Sequence, residues 1–186
     1  MSSILLDWLI EVHRKFELMP ETFYLTVNII DRFLSRRMVT RRELQLVGIS
    51  SMVIASKYEE VWAPQVNDFV CLSDYAYTGD QICLMEKAIL EKLEWYLTVP
   101  TPYVFFARCI KASISPDDEM KNMKKPFWTE TLKHHTGYSE EQLRECAKAL
   151  VGFHLKAAES NLKAVYRKYS KPEDGAVARL TPAKSP

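Results

Sequence analysis

From Leu44 to Ser56 the chain runs without one charged side chain, and Lys57-Tyr58-Glu59-Glu60 then ends the run abruptly. A helix that is apolar on nearly every side has no face to turn to water, so it becomes a hub that other elements must cover. The run is too short to cross a bilayer, which takes about 20 apolar residues, so the cover has to be protein. The charges after Ser56 mark where the hub surfaces.

Helices to cover it are legible on both sides. Phe23, Val27, Ile30 and Leu34 repeat at helical spacing, as do Ile82, Met85, Ile89 and Leu93, and each set turns one stripe toward the hub. Start signals agree: Thr40 with Glu43, Thr78 with Gln81 and Ser139 with Gln142 have the spacing of capping boxes, and Pro20, Pro102 and Pro116 suit first helical positions. The pattern predicts helices over 1–17, 20–35, 41–56, 66–72, 80–93, 102–112, 116–123, 127–136, 140–158 and 161–169. No strand-like alternation competes with them. Glu86 flanks the apolar positions Ile82, Ile89, Leu90 and Leu93, so if its helix lies beside the hub, Lys57 and Glu86 frame an apolar groove.

The stretch Thr98-Val99-Pro100-Thr101-Pro102 breaks helix twice and separates two units, 1–97 and 101–169. Residues 170–186 show no helical stripe and read as a flexible tail. With 186 residues, 47% of them hydrophobic, the chain has material for one sizeable domain or two small ones.

Charge and chemistry exclude several classes. Residues 1–100 carry 10 Lys and Arg against 14 Asp and Glu, and the remainder 15 against 10, which predicts neither a nucleic-acid nor a membrane footprint. Arg36-Arg37 and Arg41-Arg42 bracket a loop among acidic neighbours, without interleaved aromatics. Cys71, Cys83, Cys109 and Cys146 form no close pair and, with His13, His134, His135 and His154, no metal-ligand spacing. No metal or other cofactor is expected. The glycines are too scattered for a phosphate-cradling loop, and Glu59-Glu60 and Asp117-Asp118 read as helix-end acids, so the chain is not expected to be an enzyme. Gly48, in the middle of the hub, predicts a close helix contact. Without a signal-peptide plan at its start, the chain is expected in the nucleus and cytoplasm.

Several segments in order, Ile4-Leu5-Leu6-Asp7-Trp8-Leu9, Asn28-Ile29-Ile30-Asp31-Arg32-Phe33-Leu34, Leu44-Gln45-Leu46-Val47-Gly48, the Lys57 segment and the Glu86 helix, resemble the cyclin box. Trp62-Ala63-Pro64-Gln65-Val66-Asn67-Asp68-Phe69-Val70 and Phe127-Trp128-Thr129-Glu130-Thr131-Leu132-Lys133-His134-His135 are similar to the mitotic B-type cyclins of plants. The resemblance implies an all-α fold, a five-helix cyclin box followed by a second one. Here the second box is incomplete: the likeness breaks at Met123-Lys124-Lys125 and resumes at Pro126-Phe127, with roughly two helices, including the second hub, missing. A loosely packed second unit is expected. The resemblance further implies a chain that begins inside the first helix, without the N-terminal region carrying a destruction signal.

The resemblance also implies a function, that of a regulatory subunit which binds and activates a cyclin-dependent serine/threonine kinase in G2/M. Lys57 and Glu86 would make the polar contacts to the kinase, and Ile54, Tyr58, Leu90 and Trp95 would line the pocket for its apolar side chains. Met1, Leu5 and Trp8, at i, i+4 and i+7, would form a docking patch for protein substrates, with polar contacts from Glu11 and Gln45. In that patch Ser2 stands where an arginine is usual. Two other readings remain open: a truncated cyclin that binds weakly or does not activate, and a cyclin-fold transcription adaptor that binds nucleic acid.

Overall fold

Every residue from Val47 to Ser56 is buried, as an uncharged hub requires. The structure, a computed structural model, describes residues 2–113 and 128–181; the chain divides into two units, Met1–Tyr103 and Val104–Pro186. In the first, the hub α3 (Leu44–Glu59) packs against α1 (Ser2–Lys15), α2 (Pro20–Arg36), α4 (Val66–Leu72) and α5 (Gly79–Lys92). On one side of α3, Ile49, Met52 and Val53 meet Leu5, Leu9 and Val12 of α1, Phe69 of α4 and Ile82 of α5. On the other, Val47, Ile54 and Ala55 meet Leu25, Ile29 and Phe33 of α2 and Met85 and Ile89 of α5. The expected five-helix unit is present.

The α5 stripe is buried as expected, with Ile82, Met85, Ile89 and Leu93 all inside. The α2 stripe is rotated. Its buried residues are Thr22, Leu25, Thr26, Ile29, Ile30 and Phe33, while Phe23 and Leu34 pack only at the edge. Two threonines can be buried because their hydroxyls find acceptors: Thr26 donates to the Thr22 carbonyl at 2.7 Å and Thr22 donates to the Glu60 carboxylate. A satisfied hydroxyl loses most of its burial penalty.

At Gly48 the hub meets α1 so closely that a Cβ would lie 2.9 Å from Leu5 Cδ1, the close contact that the glycine predicted. The hub's ends differ from expectation. Thr40 donates its backbone N–H and hydroxyl to Glu43 Oε2, at 3.0 and 2.7 Å, which forms a turn before the helix begins at Leu44. These bonds, with Arg37 nearby, hold the Glu43 carboxyl below the usual carboxylate range. At the other end the helix passes through Lys57 to Glu59. α2 begins without a side-chain cap of its own at Met19; instead Glu60 accepts the Met19 N–H at 2.7 Å. The Thr78–Gln81 and Ser139–Gln142 boxes both close, and Gln65 with Asp68 forms another.

The second unit contains α6 (Pro102–Ser113), whose first two residues belong to the first unit, α7 (Glu130–Thr136), α8 (Glu140–Ala157) and α9 (Ala164–Lys168). α7 starts later than expected because Thr129 caps it, its hydroxyl accepting the Leu132 N–H, and it stops where Gly137 takes a left-handed φ of 75°. Among the described residues of this unit, only Leu132 and Ala164 are buried. The segment read as a tail is wound into two 3-10 turns, Pro172–Asp174 and Val177–Arg179. Met1, the helix expected at 116–123, the break at 123–126 and Phe127 lie outside the described residues.

Candidate functional site

The extra turn of α3 carries Lys57 to the surface beside α5. Its Nζ lies 2.7 Å from Glu86 Oε1 and 2.9 Å from Oε2, so one ammonium bridges both carboxylate oxygens. The pair is asymmetric: the Lys57 side chain is 51% exposed and that of Glu86 14%. Lys57 stands in the last turn of α3, where the unsatisfied carbonyls favour a cation.

The apolar residues expected beside this pair divide into two sets. Tyr58 is exposed, and its hydroxyl is 2.8 Å from Thr98 Oγ1, tying the end of α3 to the segment after α5. Leu90, one turn beyond Glu86, is half-buried. Trp95 is 67% exposed. Ile54 does not reach the surface; at 3% exposure it belongs to the core and supports the surface from beneath.

Trp95 is held out by backbone geometry that the sequence does not announce. Glu94 and Trp95 adopt φ values of 57° and 58°, a left-handed pair that costs non-glycine residues roughly 1–2 kcal/mol each. The turn closes with the Trp95 N–H donating to the Leu90 carbonyl at 2.9 Å. From α2, Arg32 donates to the Tyr96 carbonyl at 2.8 Å and Arg36 to the Lys92 carbonyl at 3.1 Å, which caps the end of α5 from another helix. Thr98, Arg32 and Arg36 were not expected at this site from the sequence; their partners are 40 or more residues away.

Glu59, beside Tyr58, has its pKa raised, first by partial burial and then by the like charges of Glu21 and Glu60. This acidic corner lies at the start of α2, where Glu60 holds Met19 and Thr22.

A second surface groove, of about 420 Å³, is lined by Ile4, Leu5, Trp8, Arg41, Leu44 and Gln45. It gathers three of the five residues expected in the docking patch. Glu11 is engaged with Arg14 at 2.9 Å, one turn along α1, and Met1 is not described. Ile4, Arg41 and Leu44 were missed; Ile4 shares a face with Trp8 at i, i+4 and could have been read from α1 alone, whereas Arg41 and Leu44 follow from the crossing of α1 over the start of α3, which periodicity within one helix cannot show. Of the histidines, His13 is buried, with Nε2 3.0 Å from the Met19 carbonyl oxygen and its ring edge-on to Phe23. Among the described residues no group of three or more His, Cys, Asp or Glu side chains could hold a metal ion, and no helix is long and apolar enough to cross a membrane.

Comparison with known families places the chain itself. Residues 1–98 match the cyclin N-terminal domain and residues 119–183 the cyclin C-terminal domain. The chain belongs to the cyclin family. Among relatives, it is 56% identical to G2/mitotic-specific cyclin S13-7 of Glycine max, over 99% of this chain and 85% of that protein. It is 52% identical to Cyclin-B1-4 of Arabidopsis thaliana, over 97% of this chain and 56% of that one, and 50% identical to Cyclin-B1-1 of Oryza sativa subsp. japonica, over 98% and 49%. The chain thus spans about half the length of the latter two. Its fold is that of a viral cyclin from herpesvirus saimiri solved by X-ray, with a TM-score of 0.57 over 73% of this chain and 76% of that one, at 23% identity. The soybean alignment extends over 219 positions against 186 residues here, so at least 33 positions of that relative have no counterpart in this cyclin.

Proposed function

We propose that this cyclin is the regulatory subunit of a cyclin-dependent serine/threonine kinase acting in G2/M, and that it grips the kinase with the surface around Lys57 and Glu86. The observation that carries the reading is the ion pair itself: two charges from different helices, brought to 2.7 Å at the end of the hub, next to exposed Tyr58 and Trp95. A kinase of this type is active only when a lysine and a glutamate of its own meet around the ATP phosphates, and the glutamate rides on a mobile helix. A partner need only hold that helix inward. Lys57 and Glu86 offer one donor and one acceptor set to its backbone and flanks, while Tyr58, Leu90 and Trp95 offer apolar contact. Activation is then a shift of the kinase's population, with no chemistry by this chain.

The groove of Leu5, Trp8 and Gln45 serves, in the same proposal, to dock short segments of protein substrates, with Arg41 as its cation. The complex acts in the nucleus and cytoplasm. Co-purification with a mitotic cyclin-dependent kinase, followed by a histone phosphorylation assay, tests the proposal. Binding with phosphorylation well above that of kinase alone supports it; binding without stimulation leaves a cyclin that occupies the kinase without switching it on.

A further inference from the structure

The groove between α1 and the start of α3 holds a charge that nothing in the chain uses. Ile4, Leu5, Trp8 and Leu44 give it apolar surface, and its polar residues are Gln45 and Arg41. Ile4 is 68% exposed, so that surface faces water. Arg41 is exposed in the turn before α3 and makes no ion pair among the described residues.

The acids nearest to it along the two elements are committed elsewhere. Glu11, one turn beyond Trp8, takes two bonds from Arg14, at 3.2 Å from Nε and 2.9 Å from Nη2. Glu43 accepts the Thr40 N–H and hydroxyl at 3.0 and 2.7 Å, with Arg37 nearby. Neither lines the groove, and the first turn of α1, which supplies Ile4 and Leu5, holds no acid. A carboxylate brought to the groove therefore meets an unshared guanidinium beside apolar surface, whereas a lysine brought to the same place faces a like charge.

We propose that this groove selects acidic docking segments, short stretches of a partner protein that carry two apolar side chains and, beside them, an Asp or Glu whose carboxylate pairs with Arg41. The inference rests on the docking reading of the groove given above and adds which segments it takes. In an extended segment alternate side chains point the same way, about 7 Å apart, so two apolar side chains enter the groove together. Gln45, with an amide that both donates and accepts, is left for the segment's backbone. The guanidinium offers a carboxylate two parallel N–H···O bonds. Burial of the apolar pair supplies most of the affinity, and the carboxylate supplies the choice.

Fluorescence anisotropy of the whole chain with three labelled peptides tests it. Each peptide has a leucine and a phenylalanine two positions apart, and they differ only in the flanking pair, which is aspartate, serine or lysine. The aspartate peptide is expected to bind about two- to fivefold more tightly than the serine peptide, the range of a solvent-screened ion pair, and the lysine peptide more weakly than either. Added salt should narrow the gap. Arg41→Gln should remove the advantage of the aspartate peptide, and Arg41→Glu should reverse the order so that the lysine peptide binds best; Arg41 is exposed, and far-ultraviolet circular dichroism checks that both variants fold.

The two ways of failing differ. If none of the peptides binds, or if all three bind Ile4→Ser as tightly as wild type, the docking reading falls and this inference with it. If they bind at the groove but aspartate brings no advantage, or its advantage survives Arg41→Glu, the docking reading stands and the selection of acidic segments is overturned.

Discussion

Replacing Lys57 and Glu86 by alanine, singly and together, separates a kinase-binding pair from a structural one, because the two roles predict different orders of effect. In the isolated cyclin the pair sits at the surface. An ion pair with one partner half exposed is worth about 0.2–1 kcal/mol after solvent screening. The asymmetry of burial adds a sign: Lys57→Ala leaves the mostly covered Glu86 carboxylate without its cation, a cost of about 1–3 kcal/mol, whereas Glu86→Ala leaves an ammonium that water can solvate. Lys57→Ala should thus lower the melting temperature more than Glu86→Ala, and the double variant should recover part of the loss. Kinase affinity should follow another order. Truncating either member of a hydrogen-bonded charge set at an interface costs about 2–5 kcal/mol, or roughly 30-fold to several thousand-fold in Kd, and the double variant should bind at least as weakly as either single one. Isothermal titration against the kinase, with calorimetric melting in parallel, reads both. Kd values within threefold of wild type for all three variants, with helicity intact, would refute the assignment.

Three further outcomes follow from the packing and the charges. Gly48→Val should destabilise the first unit by about 1–3 kcal/mol, through overpacking against Leu5; Gly48→Ala should stay within about 1 kcal/mol of wild type, since its gain in helix propensity offsets a shift of the Leu5 side-chain tip; urea titration measures both. Glu94→Gly should be neutral or stabilising by up to about 1 kcal/mol, because glycine accepts the left-handed φ without strain, while the same change at Glu91, inside α5, should cost about 1 kcal/mol. Glu59 has a raised pKa in the folded chain, so the folded state holds its proton more tightly than the unfolded one. Its ionisation therefore lowers stability as pH rises from the unfolded carboxyl range through the folded pKa, and Glu59→Gln should flatten that fall in melting temperature.

Much of the first unit could be read from one observation, the uncharged run, since a helix with no polar face dictates amphipathic neighbours, and their stripes were visible. The rotation of α2 was not, because Thr22 and Thr26 read as polar until the backbone and Glu60 are seen to satisfy them. The meeting of Lys57 with Glu86 was legible because the hub's first charge and the acid flanking the α5 stripe had to surface on adjacent helices. The left-handed turn at Glu94 and Trp95 was not, since neither residue favours it and no glycine marks it. Ile54 was expected in the pocket only through the resemblance to cyclins, and periodicity could not correct that, because it cannot tell the outer from the inner face of a helix that is apolar all round. The second groove needed Arg41, in the turn before α3, and Leu44, at its start, which only the crossing of α1 over that end of α3 brings near Trp8.

Hydrogen exchange of the cyclin with and without a G2/M cyclin-dependent kinase tests the central claim most directly. The account predicts that binding slows exchange at 54–60, across the end of α3, and at 86–98, from Glu86 through the Trp95 turn. Stable binding that leaves both segments unchanged would contradict it.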